Sequence, residues 1–82
     1  MILDSRIHKH DNFREFTVIG AIAYAISQLK KGDAIIIEEI LNYEGQPVKL
    51  EKVRMAISKV QKILNFKIVT RFKNDKLNIT RV

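Results

Sequence analysis

Residues 66–82 read FKIVTRFKNDKLNITRV, and the fold is decided there. Two runs rich in β-branched and aromatic residues, Phe66 to Phe72 and Leu77 to Val82, flank Lys73-Asn74-Asp75-Lys76. Asn and Asp tolerate the positive φ of a type I′ turn, so the stretch predicts a β-hairpin with a two-residue loop. Such a loop fixes the register: Phe72 opposes Leu77, and Thr70 opposes Ile79. Because side chains alternate along a strand, Ile68, Phe72, Leu77 and Ile79 then share the core face, and Lys67, Arg71, Asn78 and Thr80 line the other. Lys73 and Lys76 face each other at the tip, where like charges cost stability unless water or an anion screens them.

Upstream of the hairpin the period changes. From Val48 to Leu64, Leu50, Val53, Ile57, Val60 and Leu64 form one stripe, which predicts a helix; Glu51, Lys52, Met55, Ser58, Lys59 and Lys62 fall on its opposite side, and Asn65 is its C-cap. Glu39 to Glu44 reads as a short helix through Ile40, Leu41 and Tyr43, ended by Gly45 and Pro47. Ala34-Ile35-Ile36-Ile37 is a short buried strand. A first helix opens at Asn12, whose side chain and Glu15 form a capping box, and runs through Phe16, Ile19, Ile22, Ile26 and Leu29. Lys30 and Lys31 suit the negative end of its dipole, and Gly32 its C-cap. Met1 to His10 has no clear period and reads as an arm or a short edge strand. The expected fold is therefore α+β, in the order helix, strand, short helix, helix, β-hairpin, with residues 1–11 as an N-terminal arm and 12–82 as the domain.

Composition bounds the rest. The chain has 82 residues, 46% hydrophobic and 29% charged, with no Cys, which is the make-up of one soluble globular domain without disulfides, iron–sulfur clusters or thiolate zinc sites. The longest uncharged run, Phe16 to Leu29, falls short of the roughly 20 apolar residues of a membrane span. Asp4, Asp11 and Glu15 stand where a signal peptide would be basic, so a cytoplasmic location is expected. Charge is divided unevenly: residues 1–46 hold five basic and seven acidic side chains, a balance of −2, and residues 47–82 hold ten basic and two acidic, a balance of +8. Positive charge gathered into one segment is the footprint of a polyanion binder, since each cation placed on a phosphate releases a counterion. The bland alternative is a lysine-rich solvated face.

The order of elements resembles a winged helix-turn-helix domain. The resemblance covers Phe13 to Val82 and is carried by Ile26-x-x-Leu29-x-x-Gly32 closing the first helix, Ile37-Glu38-Glu39-Ile40-Leu41 as the second, Val53-Arg54-x-Ala56-Ile57 in the third and Leu77-x-Ile79-Thr80 in the last strand. It implies that residues 48–64 enter the major groove and that residues 67–76 form a wing on the backbone or minor groove. In that family the turn between helices two and three is short, whereas residues 42–49 here contain Gly45 and Pro47. Without the second helix nucleic-acid binding would survive, but insertion into the major groove would lose its ground. The pattern Phe66-x-x-x-Thr70-Arg71, then Leu77-x-Ile79-x-Arg81-Val82, also resembles small phage-encoded basic proteins.

The expected function is binding of double-stranded DNA by a small transcriptional regulator, phage-encoded if the second resemblance holds. The candidate residues are Lys49, Lys52, Arg54, Met55, Ser58, Lys59, Lys62, Lys67, Arg71, Lys73 and Lys76. Lysines and Ser58 reach phosphates, Met55 offers an apolar contact to a thymine methyl, and Arg54 on the flank is the best base reader. No Arg or Asn sits mid-face for a bidentate base contact, so affinity is expected from the backbone with modest sequence readout. Any one lysine alone reads equally well as a solvated side chain. Phe66 and Phe72 alternate in phase with Ile68, which favours core over base stacking. Two other readings stay open: a protein-interaction module or inhibitor of a host protein, using the arm, Tyr43 and Ile40, and an RNA or single-strand binder. A homodimer would form through the first helix or the arm. His8, His10 and Asp11 supply at most three metal ligands without defined geometry, and no phosphate loop, paired-carboxylate motif or H-E-x-x-H occurs, so no enzyme, metal or cofactor is expected.

Overall fold

In the computed structural model the described residues are 1–11, 13 and 17–82, and they run β1 (Ile2–Asp4), α1 (Val18–Ser27), β2 (Ala34–Ile37), β3 (Glu39–Leu41), a 3-10 turn (Leu50–Val53), α2 (Arg54–Leu64), β4 (Ile68–Lys73) and β5 (Lys76–Arg81). The result is a small α+β domain with two helices and a three-stranded antiparallel sheet in the order β2-β5-β4. The hairpin forms in the register that its loop dictates: Phe72 pairs with Leu77, Thr70 with Ile79 and Lys73 with Lys76. Asn74 and Asp75 both take positive φ, 54° and 59°, as a type I′ turn requires. β2 adds to β5 with Ile37 opposite Leu77 and Ile35 opposite Ile79, so one sheet face gathers the aliphatic side chains.

Three sequence expectations change. Residues 39–44 do not form a helix: Glu39–Leu41 is strand β3, paired in parallel with β1, Leu3 opposite Ile40. Six residues before Gly45 and Pro47 are too few to repay helix nucleation, whereas the N-terminal segment supplies a second strand that satisfies the backbone and buries Leu3 and Ile40 completely. The extended run changes partner at Glu38, whose N–H donates to the Met1 carbonyl at 2.9 Å, while the Met1 nitrogen donates to the Ile36 carbonyl at 2.6 Å. Of the two alternatives for the N-terminus, Ile2–Asp4 takes the strand. Second, α1 starts at Val18 rather than Asn12; Thr17 is its N-cap and its hydroxyl accepts from Gly20 N–H at 3.1 Å. The expected capping box of Asn12 and Glu15, and Phe16 as a core position, lie outside the described residues. Gly32, φ +93°, belongs to the turn after the helix, where Asp33 N–H donates to the Lys30 carbonyl, and the C-cap is Gln28. Third, the basic helix begins as a 3-10 turn at Leu50 and is α-helical from Arg54; Asn65 closes it in the left-handed conformation, φ 57°.

α1 lies at the centre of the core. Gly20, Ala21, Ile22, Ala23, Ala25 and Ile26 are all buried, and the small residues among them let neighbours approach the helix from more than one side. Leu3, Ile37, Ile40, Ile57, Val60, Leu77 and Ile79 pack around it. No helix among the described residues is long and apolar enough to cross a membrane.

Ser5 is fully buried beside this core, and its hydroxyl is, among the described residues, the one buried side-chain polar atom without a hydrogen-bond partner. An unsatisfied hydroxyl is desolvated without return, so Ser5→Ala is expected to be neutral or to stabilise by up to about 1 kcal/mol. Urea denaturation checks this, and a clear loss of stability in the variant contradicts it.

Candidate nucleic-acid interface

α2 shows how the basic surface arises. Val53, Ile57 and Val60 are buried and Leu50, Ala56 and Leu64 half-buried, following the three- and four-residue spacing of the apolar stripe. The same geometry turns Glu51, Lys52, Met55, Ser58, Lys59 and Lys62 outward, and all are exposed, Met55 at 85%. Eleven residues make a helix about 16 Å long. Lys52 precedes its first turn and Lys62 lies in its last, so cations occur along its whole length.

A second group of cations lines the flank of α2 that faces β4. At the tip end Arg54 places its guanidinium 5.2 Å from the centre of the Phe72 ring, inside an open cleft of about 880 Å³ shared with Lys49, Glu51, Lys73 and Asp75. At the other end Arg81 stacks 3.6 Å from the centre of the Phe66 ring and donates to the Leu29 carbonyl at 2.7 Å. A second cleft, about 650 Å³, opens there between Lys62 on the helix and Lys67 before β4. Phe66 and Phe72 pack on the core, as their phase predicts, and each ring carries an arginine.

The eleven candidate residues thus divide among three surfaces. Lys52, Met55 and Lys59 are on the outward face of α2, whereas Lys49, Arg54, Ser58, Lys62, Lys67 and Lys73 line the two clefts along its flank. Arg71 and Lys76, like Lys73, which also borders the tip cleft, alternate with the core positions and so lie on the outer sheet face. Arg54, the expected base reader, is turned towards the hairpin tip. Lys31 and Arg81, which sequence spacing did not single out, complete the second cleft. Strand parity offered one signal, because Arg81 follows Leu77 and Ile79 on the core face of β5.

The protein-docking alternative loses part of its surface. Ile40 is fully buried in β3 and is unavailable to a partner, although Tyr43 and Ile7 are exposed. α1 presents no fully exposed residue; Val18, Ile19, Tyr24 and Ser27 are its half-buried positions.

An ion pair among the described residues lies near the N-terminus. Asp4 and Arg6 form a two-pronged ion pair, Nε to Oδ1 at 3.0 Å and Nη2 to Oδ2 at 2.8 Å. Hydrogen bonds from the Arg6 side chain and backbone, with its charge, hold the Asp4 carboxyl down at about 2. Arg6 is further confined by the turn at Gly45, φ +81°, where a Cβ would come within 3.0 Å of the guanidinium. In contrast, none of the ten basic residues in 47–82 forms an ion pair with a described carboxylate.

Three substitutions test the surroundings of these cations. Lys73 and Lys76 oppose each other with like charge, so Lys76→Glu should stabilise the hairpin by roughly 0.5–1 kcal/mol and raise the thermal midpoint by several degrees. Arg81 is tied to Leu29 and Phe66, so Arg81→Met should cost about 2 kcal/mol, while Lys62→Ala on the exposed helix face should change stability by less than about 0.5 kcal/mol. Thermal and urea unfolding of the three variants measures all of these.

Comparison with protein-family models, with curated proteins and with solved structures finds no match for this chain.

Proposed function

We propose that this domain binds duplex DNA, using α2 and the ends of the β4–β5 hairpin to contact the phosphate backbone. The observation that carries this reading is that none of the ten cations of residues 47–82 forms an ion pair with a described carboxylate. A cation without a carboxylate partner can release a condensed counterion by neutralising a phosphate, and a set of them makes association steeply salt-dependent. Met55 and Lys59 of α2, with Lys52 of the 3-10 turn before it, form a surface with little capacity for bidentate base contacts, so discrimination between sequences is weak.

The sheet order β2-β5-β4, with a helix leading into the hairpin, agrees with the winged part of a winged helix-turn-helix arrangement. Strand β3 stands where the second helix of that arrangement is expected. Without that helix to brace it, α2 lacks the support that holds a recognition helix deep in the major groove, and backbone contact is the better-supported mode.

Titration of a fluorescent mixed-sequence duplex at two salt concentrations tests the proposal. With about six phosphates neutralised, log affinity should fall against log salt with a slope near −5. Replacing Lys52, Lys59 and Lys62 together by Ala should weaken binding and flatten that slope by about 2 to 3, whereas charge reversal at Glu38 should leave both unchanged. No binding at low salt overturns the DNA reading.

A further inference from the structure

We infer that the cleft at the C-terminal end of α2 is a binding site for a phosphate group. Lys31, Lys62, Lys67 and Arg81 all line it, coming from the turn after α1, from α2, from the segment before β4 and from β5. Their convergence is a product of the tertiary fold, because Lys31 and Arg81 are far apart in sequence. Ser58, Gln61 and Asn65 add neutral donors, and no acidic side chain lines the cleft.

Arg81 gives the site a fixed element. Its guanidinium is stacked on Phe66 and held by one N–H to the Leu29 carbonyl, and neither interaction involves a carboxylate. A guanidinium has five N–H donors in a rigid fork suited to phosphate oxygens, so donors remain after the bond to Leu29. Because the group is already ordered, a ligand has less conformational freedom to remove on binding. One negative contribution opposes an anion here, the C-terminal end of α2, equivalent to roughly −0.5 of a charge. Four full positive charges outweigh it. The C-terminal carbonyl of Gln61 is moreover already engaged by the N–H groups of Asn65 and Phe66.

The chemistry of the cleft fits a phosphodiester of a nucleic-acid strand and a free phosphate group alike; it shares Ser58 and Lys62 with the exposed side of α2, and Lys31, Lys67 and Arg81 set it apart. The first experiment is an amide NMR titration with inorganic phosphate, against chloride at equal ionic strength. Saturable shifts centred on Lys31, Lys62, Lys67 and Arg81 are expected, with a double variant, Lys31→Ala with Lys67→Ala, weakening phosphate about tenfold. Both lysines are exposed and Arg81 is left intact, so the variant keeps its fold, which its spectrum verifies. Shifts that never saturate, that spread evenly over all lysine-bearing segments, or that survive in the variant overturn the site. Duplex titration of the same variant identifies the source: weaker binding assigns the cleft to backbone phosphodiester, and unchanged binding assigns it to a free phosphate group. A duplex that fails to bind while phosphate saturates overturns DNA binding and leaves the site in place. A duplex that binds while phosphate gives no saturable response does the reverse.

Discussion

The small residues of α1 set the terms for every other element. With Gly20, Ala21, Ala23 and Ala25 on its surface, the helix is enclosed, and Ile22 and Ile26 fill the space between β1, α2 and the sheet. Each surrounding element therefore needs only one apolar face. α2 turns Val53, Ile57 and Val60 inward and its lysines outward, and the sheet turns Leu77, Ile79 and Ile37 inward while Arg71 and Lys76 point away. Charge is displaced to the periphery because the centre is already filled by aliphatic carbon, and burying an unpaired cation there would cost several kcal/mol. Arg81 is the inward exception. It occurs at the rim, where β5 ends, and the Phe66 ring and the Leu29 carbonyl accommodate its charge without a carboxylate.

How much of this was legible in the sequence depends on distance along the chain. The hairpin register followed from four residues, because a two-residue loop with Asn74 and Asp75 leaves one pairing for Phe72 and Leu77. The inward and outward sets of α2 followed from local period in the same way. Residues 39–41 were misread because their partner is β1, at the other end of the N-terminal half; nothing within six residues distinguishes a short amphipathic helix from a strand awaiting Leu3. α1 starts at Val18, where the Thr17 hydroxyl accepts from Gly20 N–H, a cap that the period of the apolar residues did not single out. The site was legible as a charge imbalance but not as a geometry. Lys31 read as a dipole charge and Arg81 as the end of a strand, and only the packing of α2 between them brings both beside Lys62 and Lys67.

Asp4 and Arg6 make the rest of the electrostatics informative by contrast. The N-terminal half contains an ion pair with favourable geometry, aligned by a backbone hydrogen bond from Arg6 N–H to the same carboxylate. Carboxylates near the basic segment are not so used: Glu51 and Asp75 line the tip cleft with Lys49, Arg54 and Lys73 without closing an ion pair. Exposed pairs contribute little to stability, so leaving them open costs little. Crowding like charges is different, since Lys73 and Lys76 stand directly opposite each other. A hairpin tip that retains a locally unfavourable pairing has a compensating role when an anion sits there, and solvent alone offers weaker screening.

Replacement of a helix by β3 also changes what α2 can do. In a helix-turn-helix unit the recognition helix is held off the DNA backbone by its predecessor and inserts by its N-terminal residues. Here the N-terminal end of α2 continues from a 3-10 turn, with Lys52 N–H bonded to the Lys49 carbonyl, and it packs beside the hairpin tip. What α2 presents instead is its side, with a basic cleft at either end of the flank and Lys52, Lys59 and Met55 between them on the outward surface. The helix length of about 16 Å equals the rise of about five base pairs, at roughly 3.4 Å each, along the axis of B-form DNA. In the proposed mode a strand following the helix meets cations throughout that distance, and base edges are met by Met55 more readily than by any bidentate donor. In that mode affinity and sequence discrimination come apart for a structural reason: the cations are spread along the helix axis, and side chains able to make bidentate base contacts are absent from its outward face.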